Sequence, residues 1–347
     1  MSETGQAMRI VELDPFDDAA FDAWHAVYDE AERFGREETA DLWQLEEVRT
    51  LLQHVGSHDR HFGWSGLLDG RTVAAGWMVI TLLDNVERAN LSVHVLPEYR
   101  RRGLGSQMLA RVEREAAARG RTILGAEVAW PYDSVLASEG AGVPGPEFAR
   151  ARGYELALTD VQREVRLPVA EARLDELAAE AAPHHAAYTL KSWVGPVPDG
   201  LLQGWAELSS SLTTEAPLGD LALEPETASV EVHREREALQ ARQGRVKYNT
   251  VALNESGETV AYTDLATTIH EPGRAYQWGT LVRQADRGHR LGIAVKVANL
   301  RLLQAERPDI LRLTTYNAQI NAHMVAVNEL MGFRPVEMLG EFQKHLT

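Results

Sequence analysis

Along the first half of the chain, short apolar runs alternate with stretches whose apolar positions recur every three or four residues. Residues 8–13 read as an opening strand. Helical spacing of Phe21, Trp24, Val27 and Tyr28 predicts a helix over residues 17–33, and a second helical stretch covers 39–54. Two strands follow at 61–67 and 72–83, joined by the hairpin pair Asp69-Gly70. Asp84-Asn85 breaks the second, and residues 89–95 form a third strand. The next helix carries Leu104, Met108, Leu109, Val112 and Ala116 on one face and stops at Arg119-Gly120. A strand at 122–128 then leads to a further helix and strand.

The second half repeats the order. Residues 188–193 open it, helices are predicted near 200–212 and 227–243, and strands at 247–253 and 259–267 flank Asn254-Glu255-Ser256-Gly257. A strand at 275–282 precedes a helix with Leu291, Ala294, Val295, Ala298 and Leu302 on one face. Pro308 ends that helix and 310–316 is the next strand. Each half closes on a Gly-aromatic pair, Gly153-Tyr154 and Gly332-Phe333. From loop glycine to that pair is 48 residues in the first half (105 to 153) and 40 in the second (292 to 332). A repeat of this length means two copies of one domain. The expected division is 1–168, a connecting Ala/Glu-rich helix at 169–186 ended by Pro183, and 187–347.

The chemistry sits where a strand runs through a glycine-bearing turn into a helix. Val93-His94-Val95-Leu96-Pro97-Glu98-Tyr99-Arg100-Arg101-Arg102-Gly103-Leu104-Gly105-Ser106 has that form. Free backbone N–H groups and the positive end of the helix dipole make such a junction an anion site, and glycine lets a pyrophosphate approach the amides. The third glycine of a dinucleotide fingerprint and the Gly-Lys-Ser/Thr of a nucleotide triphosphate loop are both missing. Arg287-Gly288-His289-Arg290-Leu291-Gly292-Ile293 is the counterpart in the second half.

Arg100-x-x-Gly103-x-Gly105, preceded by Val95-x-Pro97, resembles the acyl-coenzyme A loop of the GNAT acetyltransferases, Arg/Gln-x-x-Gly-x-Gly/Ala. The mixed order of elements resembles the GNAT fold in both halves. The resemblance therefore implies an α/β chain (α+β, mixed sheet) of two tandem GNAT acyl-CoA N-acyltransferase domains. It is similar to two-domain members such as the actinobacterial mycothiol synthase-like proteins. In this family the strand before the loop splays from its neighbour and the pantetheine arm lies in the gap. Val93 and Val95, or Thr280 and Val282, would meet the arm through their backbones. The pyrophosphate would rest on Arg101, Arg102, Gly103, Leu104, Gly105 and Ser106 beside Arg100, or on Gly288, His289, Arg290, Leu291, Gly292 and Ile293 beside Arg287.

The second loop departs from the pattern: Arg290 stands at the first glycine, Gln284 at the proline, and Gly288 two residues early. A later family motif, Asn-x-x-Ala-x-x-x-Tyr-x-x-x-Gly-Phe, is matched by Asn321 and Gly332-Phe333, with Asn317 just upstream. Asn317 and Asn321 are thus implied arm residues. Asn328 replaces the tyrosine that commonly protonates the departing thiolate, and asparagine can offer only a hydrogen bond. The first half has Gly142 and Ala149 at the asparagine and tyrosine positions.

The reaction implied is transfer of an acetyl or other acyl group from acetyl-CoA or a related acyl-CoA to a primary amine of a small molecule, with a protein amine as second acceptor class. A base must free the amine lone pair. Glu87 and Glu127 in the first half, and Asp264 and Glu271 in the second, are candidates. Thr280 and Gln277 are candidate substrate contacts. The second half is favoured as catalytic. The rival is a degenerate acyl-CoA-binding or regulatory module without turnover, prompted by Asn328, Ala149 and Arg290.

Composition narrows the partners. The chain has 347 residues, 44% hydrophobic and 25% charged, as in soluble globular proteins. It has no cysteine, so neither disulfides nor thiolate metal sites are expected. The net charge of −16 argues against nucleic acid and is compatible with a cationic amine. His54, His58 and His61 could clasp a metal by spacing, but Gly56-Ser57 interrupts their helix, and no metal is expected. Residues 1–6 lack the basic flank and apolar run of a signal peptide, and no window approaches 18 apolar residues. A cytoplasmic monomer or homodimer, with no membrane partner, is the expectation.

Overall fold

The computed structural model describes residues 8–132 and 139–346. The stretch at 1–6, read above for a targeting signal, lies outside them. The chain divides into two compact units that are not contiguous in sequence: 1–158 with 220–222 and 339–347, and 159–219 with 223–338. Each is a mixed sheet covered by helices.

In the first unit, β1 (Arg9–Glu12), β2 (Asp59–Leu68), β3 (Arg71–Thr81) and β4 (Arg88–Val95) pair antiparallel, and β5 (Ile123–Pro131) joins β4 in parallel. The β2–β3 turn holds Asp69 and Gly70 at φ +49 and +83, the left-handed pair expected of a two-residue hairpin. Helix α1 (Asp18–Arg33) is capped by the Asp17 side chain on Ala20 N and buries Phe21, Trp24, Val27 and Tyr28. Helix α3 (Leu104–Ala118) buries the predicted stripe of Leu104, Met108, Leu109, Val112 and Ala116. It lies so close to β3 that a Cβ at Gly76 would fall 2.7 Å from Met108 Sδ.

The second helical stretch is shorter than expected: α2 spans Leu45–Gln53, not 39–54. The Glu47 carboxylate accepts from Gln44 N at 3.0 Å and starts the helix there. Upstream, the backbone of Trp43 is tied to Tyr28 Oη and to the His25 ring, which keeps residues 40–44 out of helical geometry. Helix α4 (Pro144–Ala151) and the first residues of β6 (Glu155–Arg166) complete the unit, with residues 339–345 of β12 (Arg334–His345) next to β5. Gln343 Oε1 accepts from Arg88 Nη1 at 3.0 Å and from Ala222 N at 3.0 Å, which ties both distant segments to this unit.

The second unit orders β6, β11 (Arg312–Ala318), β10 (Arg274–Val282), β9 (Thr259–Thr268), β8 (Arg245–Leu253) and β7 (Thr189–Val194). β10 and β11 run parallel to each other, and β6 is antiparallel to β11. Helices α6 (Asp199–Glu215), α7 (Val230–Arg242), α8 (Leu291–Glu306) and α9 (Ala322–Leu330) surround it. The stretch at 169–186, expected to connect, contains α5 (Glu171–Ala181), whose Leu174, Leu177 and Ala181 are buried in this unit's core beside Leu300 and Leu303 of α8. Its apolar face has a helix to cover, so it belongs to a domain rather than to a tether. Among the described residues no helix is long and apolar enough to cross a membrane.

Candidate active site

Both loops fold the same way although their sequences differ. After β4, Pro97–Tyr99 makes one 3-10 turn; after β10, Gln284–Asp286 does the same. So Gln284 at the proline position leaves the turn intact. The residue ending each turn, Arg100 or Arg287, has nearly equal dihedrals, φ −64 and ψ 162 against φ −69 and ψ 162. Two left-handed positions follow in each loop. Arg101 (φ +64) and Gly103 (+79) fill them in the first, Gly288 (+86) and Arg290 (+52) in the second. Each loop thus has one glycine and one arginine there, in opposite order, which is why Gly288 looked displaced by two residues.

The left-handed residue opens the helix. Gly103 precedes α3 and Arg290 precedes α8, and neither helix has a side-chain cap at its N-terminus. Helices α1, α7 and α9 do have one, from Asp17, Ser229 and Asn321. The first N–H groups of α3 and α8 are therefore left without a side-chain cap, with the helix dipole behind them, which is the arrangement an anion needs.

The strand entering each loop parts from its parallel neighbour. Pairing of β4 with β5 stops at Asn90↔Gly125, although β4 runs on to Val95 and β5 to Pro131. Pairing of β10 with β11 stops at Gln277↔Thr315, although they continue to Val282 and Ala318. A wedge opens in each unit just ahead of the helix mouth. Val93 and Val95 line the first, Thr280 and Val282 the second. In β10 the opening coincides with a bulge between Gln277 and Thr280 on the β9 side.

A buried polar network holds that bulge. Gly279 N donates to Asp264 Oδ1 at 2.7 Å, and Gly279 O accepts from Thr263 Oγ1 and Gln277 Nε2, each at 3.2 Å. Thr280 Oγ1 lies 2.8 Å from Thr263 Oγ1. Asp264 is ion-paired with Lys247, whose ammonium sits over the rings of Trp205 and Trp278. On the helix side, Lys296 Nζ donates to Asn328 Oδ1 at 2.8 Å, and Asn328 Nδ2 donates to Asn317 Oδ1. Burial pushes the Lys296 ammonium down to about 7.

The expected site residues separate into groups. The amides of Arg101 to Ser106 and of Gly288 to Ile293 gather at the two helix mouths, with Val93, Val95, Thr280 and Val282 beside them. The arginine side chains mostly turn elsewhere. Arg100 donates to Val95 O and Ala31 O, Arg102 to Glu98 O, Arg287 to Val282 O and Glu215, and Arg290 is paired with Glu180 at 2.7 Å. His289 is bound to His184 O and its ring meets Tyr188. Arg101 alone of the first three is exposed without a protein partner among the described residues.

The proposed bases fare unequally. Glu87 lies before β4 and some ~20 Å from Val93 along an extended strand, so it is not brought to the wedge; its carbonyl anchors Thr122 and Ile123. Glu127 stands on the unpaired part of β5. Asp264 is engaged by Gly279 and Lys247, and Gln277 by the bulge. Glu271 is held by Arg274 and Tyr276 at the other end of β10 from the loop. Asn321 caps α9 by accepting from Met324 N at 3.2 Å, a helix-start role rather than an arm contact. Lys296, in contact with Asn328, was missed: a lysine in a helix reads as surface. Its signal was that Ile293, Ala294, Val295, Val297 and Leu300 surround it with apolar residues on that stretch of the helix.

His58 and His61 both face Asp59, whose carboxyl is held well below its usual range: burial opposes this, and hydrogen bonds from both histidines outweigh it. Among the described residues no group of three or more His, Cys, Asp or Glu converges as a metal site.

Residues 24–131, which hold the first wedge and helix mouth, match the Acetyltransferase (GNAT) family. This segment belongs to the GNAT family. Over 98% of its length the chain is similar to a tandem GNAT protein from the clavulanic acid biosynthesis pathway, with 25% identity, 98% of that chain covered and a TM-score of 0.78. A GCN5-related N-acetyltransferase from Sphaerobacter thermophilus is 13% identical with TM-score 0.64, over 97% of this chain and 95% of that one. Saccharomyces cerevisiae N-myristoyltransferase shares the fold at 12% identity and TM-score 0.57, over 99% and 82%. No curated protein matches the sequence significantly. The tandem GNAT architecture makes this an acyltransferase.

Proposed function

We propose that the protein transfers an acetyl or related acyl group from acyl-CoA to the primary amine of a small molecule. One observation carries this reading: in each unit a strand loses its parallel neighbour immediately before an uncapped helix mouth. In this reading the diphosphate of CoA rests on the amides of Arg101 to Ser106, or of Gly288 to Ile293. The pantetheine arm runs along Val93 and Val95, or Thr280 and Val282, with Asn317 beside the second wedge. The chain acts as two GNAT domains in the cytoplasm.

In the transfer, a neutral amine attacks the thioester carbon. The new N–C bond forms, the C–S bond breaks with its electron pair on sulfur, and the amine proton leaves to a base or water. Main-chain N–H groups of the wedge polarise the carbonyl. Among the carboxylates considered, Glu127 best fits a base in the first unit, since it stands on the open part of β5. The second unit is favoured for catalysis because polar side chains crowd its wedge.

A binding module without turnover is the second reading. It draws on Gly279, whose N–H is already held by Asp264. Calorimetry with acetyl-CoA, followed by mass spectrometry of transfer to a panel of small amines and peptides, separates the two. Binding with acylation of a small amine supports the enzyme; binding without acylation of any amine supports the module. Absence of binding sinks both.

A further inference from the structure

Lys296 lies in α8 at 2% exposure, and Asn328 of α9, which it touches, is fully buried. Among the described residues no carboxylate stands within ion-pair distance of this ammonium; its other close neighbour is the ring of Phe333, 5.6 Å from Nζ to the centroid. An unpaired buried charge is costly, and an apolar residue of the same length would pack there at less expense to the fold. The amino group imposes direction on its neighbours: Lys296 Nζ donates to the Asn328 carbonyl oxygen at 2.8 Å. Asn328 Nδ2 then faces Asn317, which must answer with its own oxygen. The remaining donor, Asn317 Nδ2, has no protein acceptor among the described residues. Asn317 is half-buried and lies beyond Thr315, the last β11 residue paired with β10, so it stands on the wall of the wedge.

We propose that Lys296 is a positioning residue: it fixes the orientation of the Asn328–Asn317 chain so that Asn317 Nδ2 donates to the sulfur of a thioester lying in the second wedge. The proposal rests on the reading that this unit binds acyl-CoA. When the C–S bond breaks, the electron pair stays on sulfur and the thiolate keeps the hydrogen bond from Asn317. No proton is transferred along the amides; the thiolate departs as the anion or takes a proton from water.

The test is the ionisation of the CoA thiol bound to the full-length protein, followed by thiolate absorbance. With the wild type, the bound thiol should ionise at least one pH unit below free CoA. Lys296→Met should cancel most of that shift and lower kcat for acetyl transfer at least tenfold, while the Kd for CoA moves less than threefold. Asn317→Ala, at a strand end outside the core, should give the same shift, and the double variant should be no worse than either single one. It also carries the test if Lys296→Met does not fold. Identical thiol titrations in wild type and variants, with CoA bound, overturn the proposal and leave the acyl-CoA reading standing. Failure of the wild type to bind CoA overturns both.

Discussion

Arg290 is held in the left-handed region at φ +52 while its guanidinium pairs with Glu180 of α5 at 2.7 Å. A residue at the mouth of a helix is thus a scaffold contact rather than a hand extended to the ligand. Arg290→Gly should therefore leave CoA affinity at the second unit within threefold, measured by calorimetry. Relief of the left-handed strain, about 1 kcal/mol, offsets a surface ion pair worth ~0–1 kcal/mol, so thermal stability should barely move. A tenfold loss of affinity would show that the guanidinium reaches the phosphates.

Gly279→Ala should be severe. The added Cβ would lie 2.4 Å from Tyr262 Oη and 2.7 and 2.8 Å from its ring. Tyr262 is buried with its ring 4.8 Å from that of Trp205, so it has nowhere to go. Overpacking of this kind costs about 1–3 kcal/mol, visible in chemical denaturation, and should displace the bulge that shapes the wedge. Adding Tyr262→Phe should recover only part of the loss, because the ring contacts remain.

Lys296 should imprint itself on the pH dependence of stability. Its ammonium is lowered to about 7 in the fold, so the unfolded chain binds the extra proton above that pH. Stability then rises from pH 7 towards 9, at up to about 1.4 kcal/mol per pH unit. Urea midpoints across that range should climb for the wild type and flatten for Lys296→Met. The chain has no cysteine to titrate in the same window.

Glu32 should give the opposite dependence in acid. Burial would raise its carboxyl, but hydrogen bonding and charge from His94 and Arg36 outweigh that and hold it at about 2. Its contribution is complete above its unfolded value, near 4.3, and is lost as pH falls towards 2. Glu32→Gln should reduce the acid sensitivity of the first unit between pH 4.5 and 2, read by tryptophan fluorescence from Trp24 and Trp77.

Much of this was legible because it is local. The strand, turn and helix at Val93 to Ala116 are set by alternation, a proline and a helical stripe within two dozen residues. The mouth of α8 was legible only in part, since sequence counts glycines while the fold counts left-handed positions, and Arg290 fills one without being glycine. Helix α2 was overextended because Trp43 is restrained by Tyr28 and His25, partners that no nearby residue announces. Lys296 stayed hidden for the same reason: its amide partner is brought by a separate helix, and periodicity says nothing about what covers a helix on every side.

The placement of residues 339–347 in the first unit bears on how the protein is made. Its nascent N-terminal portion emerges from the ribosome with a gap beside β5 that nothing yet translated can fill. Completion of that unit must wait until 223–338 has been synthesised, so the part made first is the part finished last.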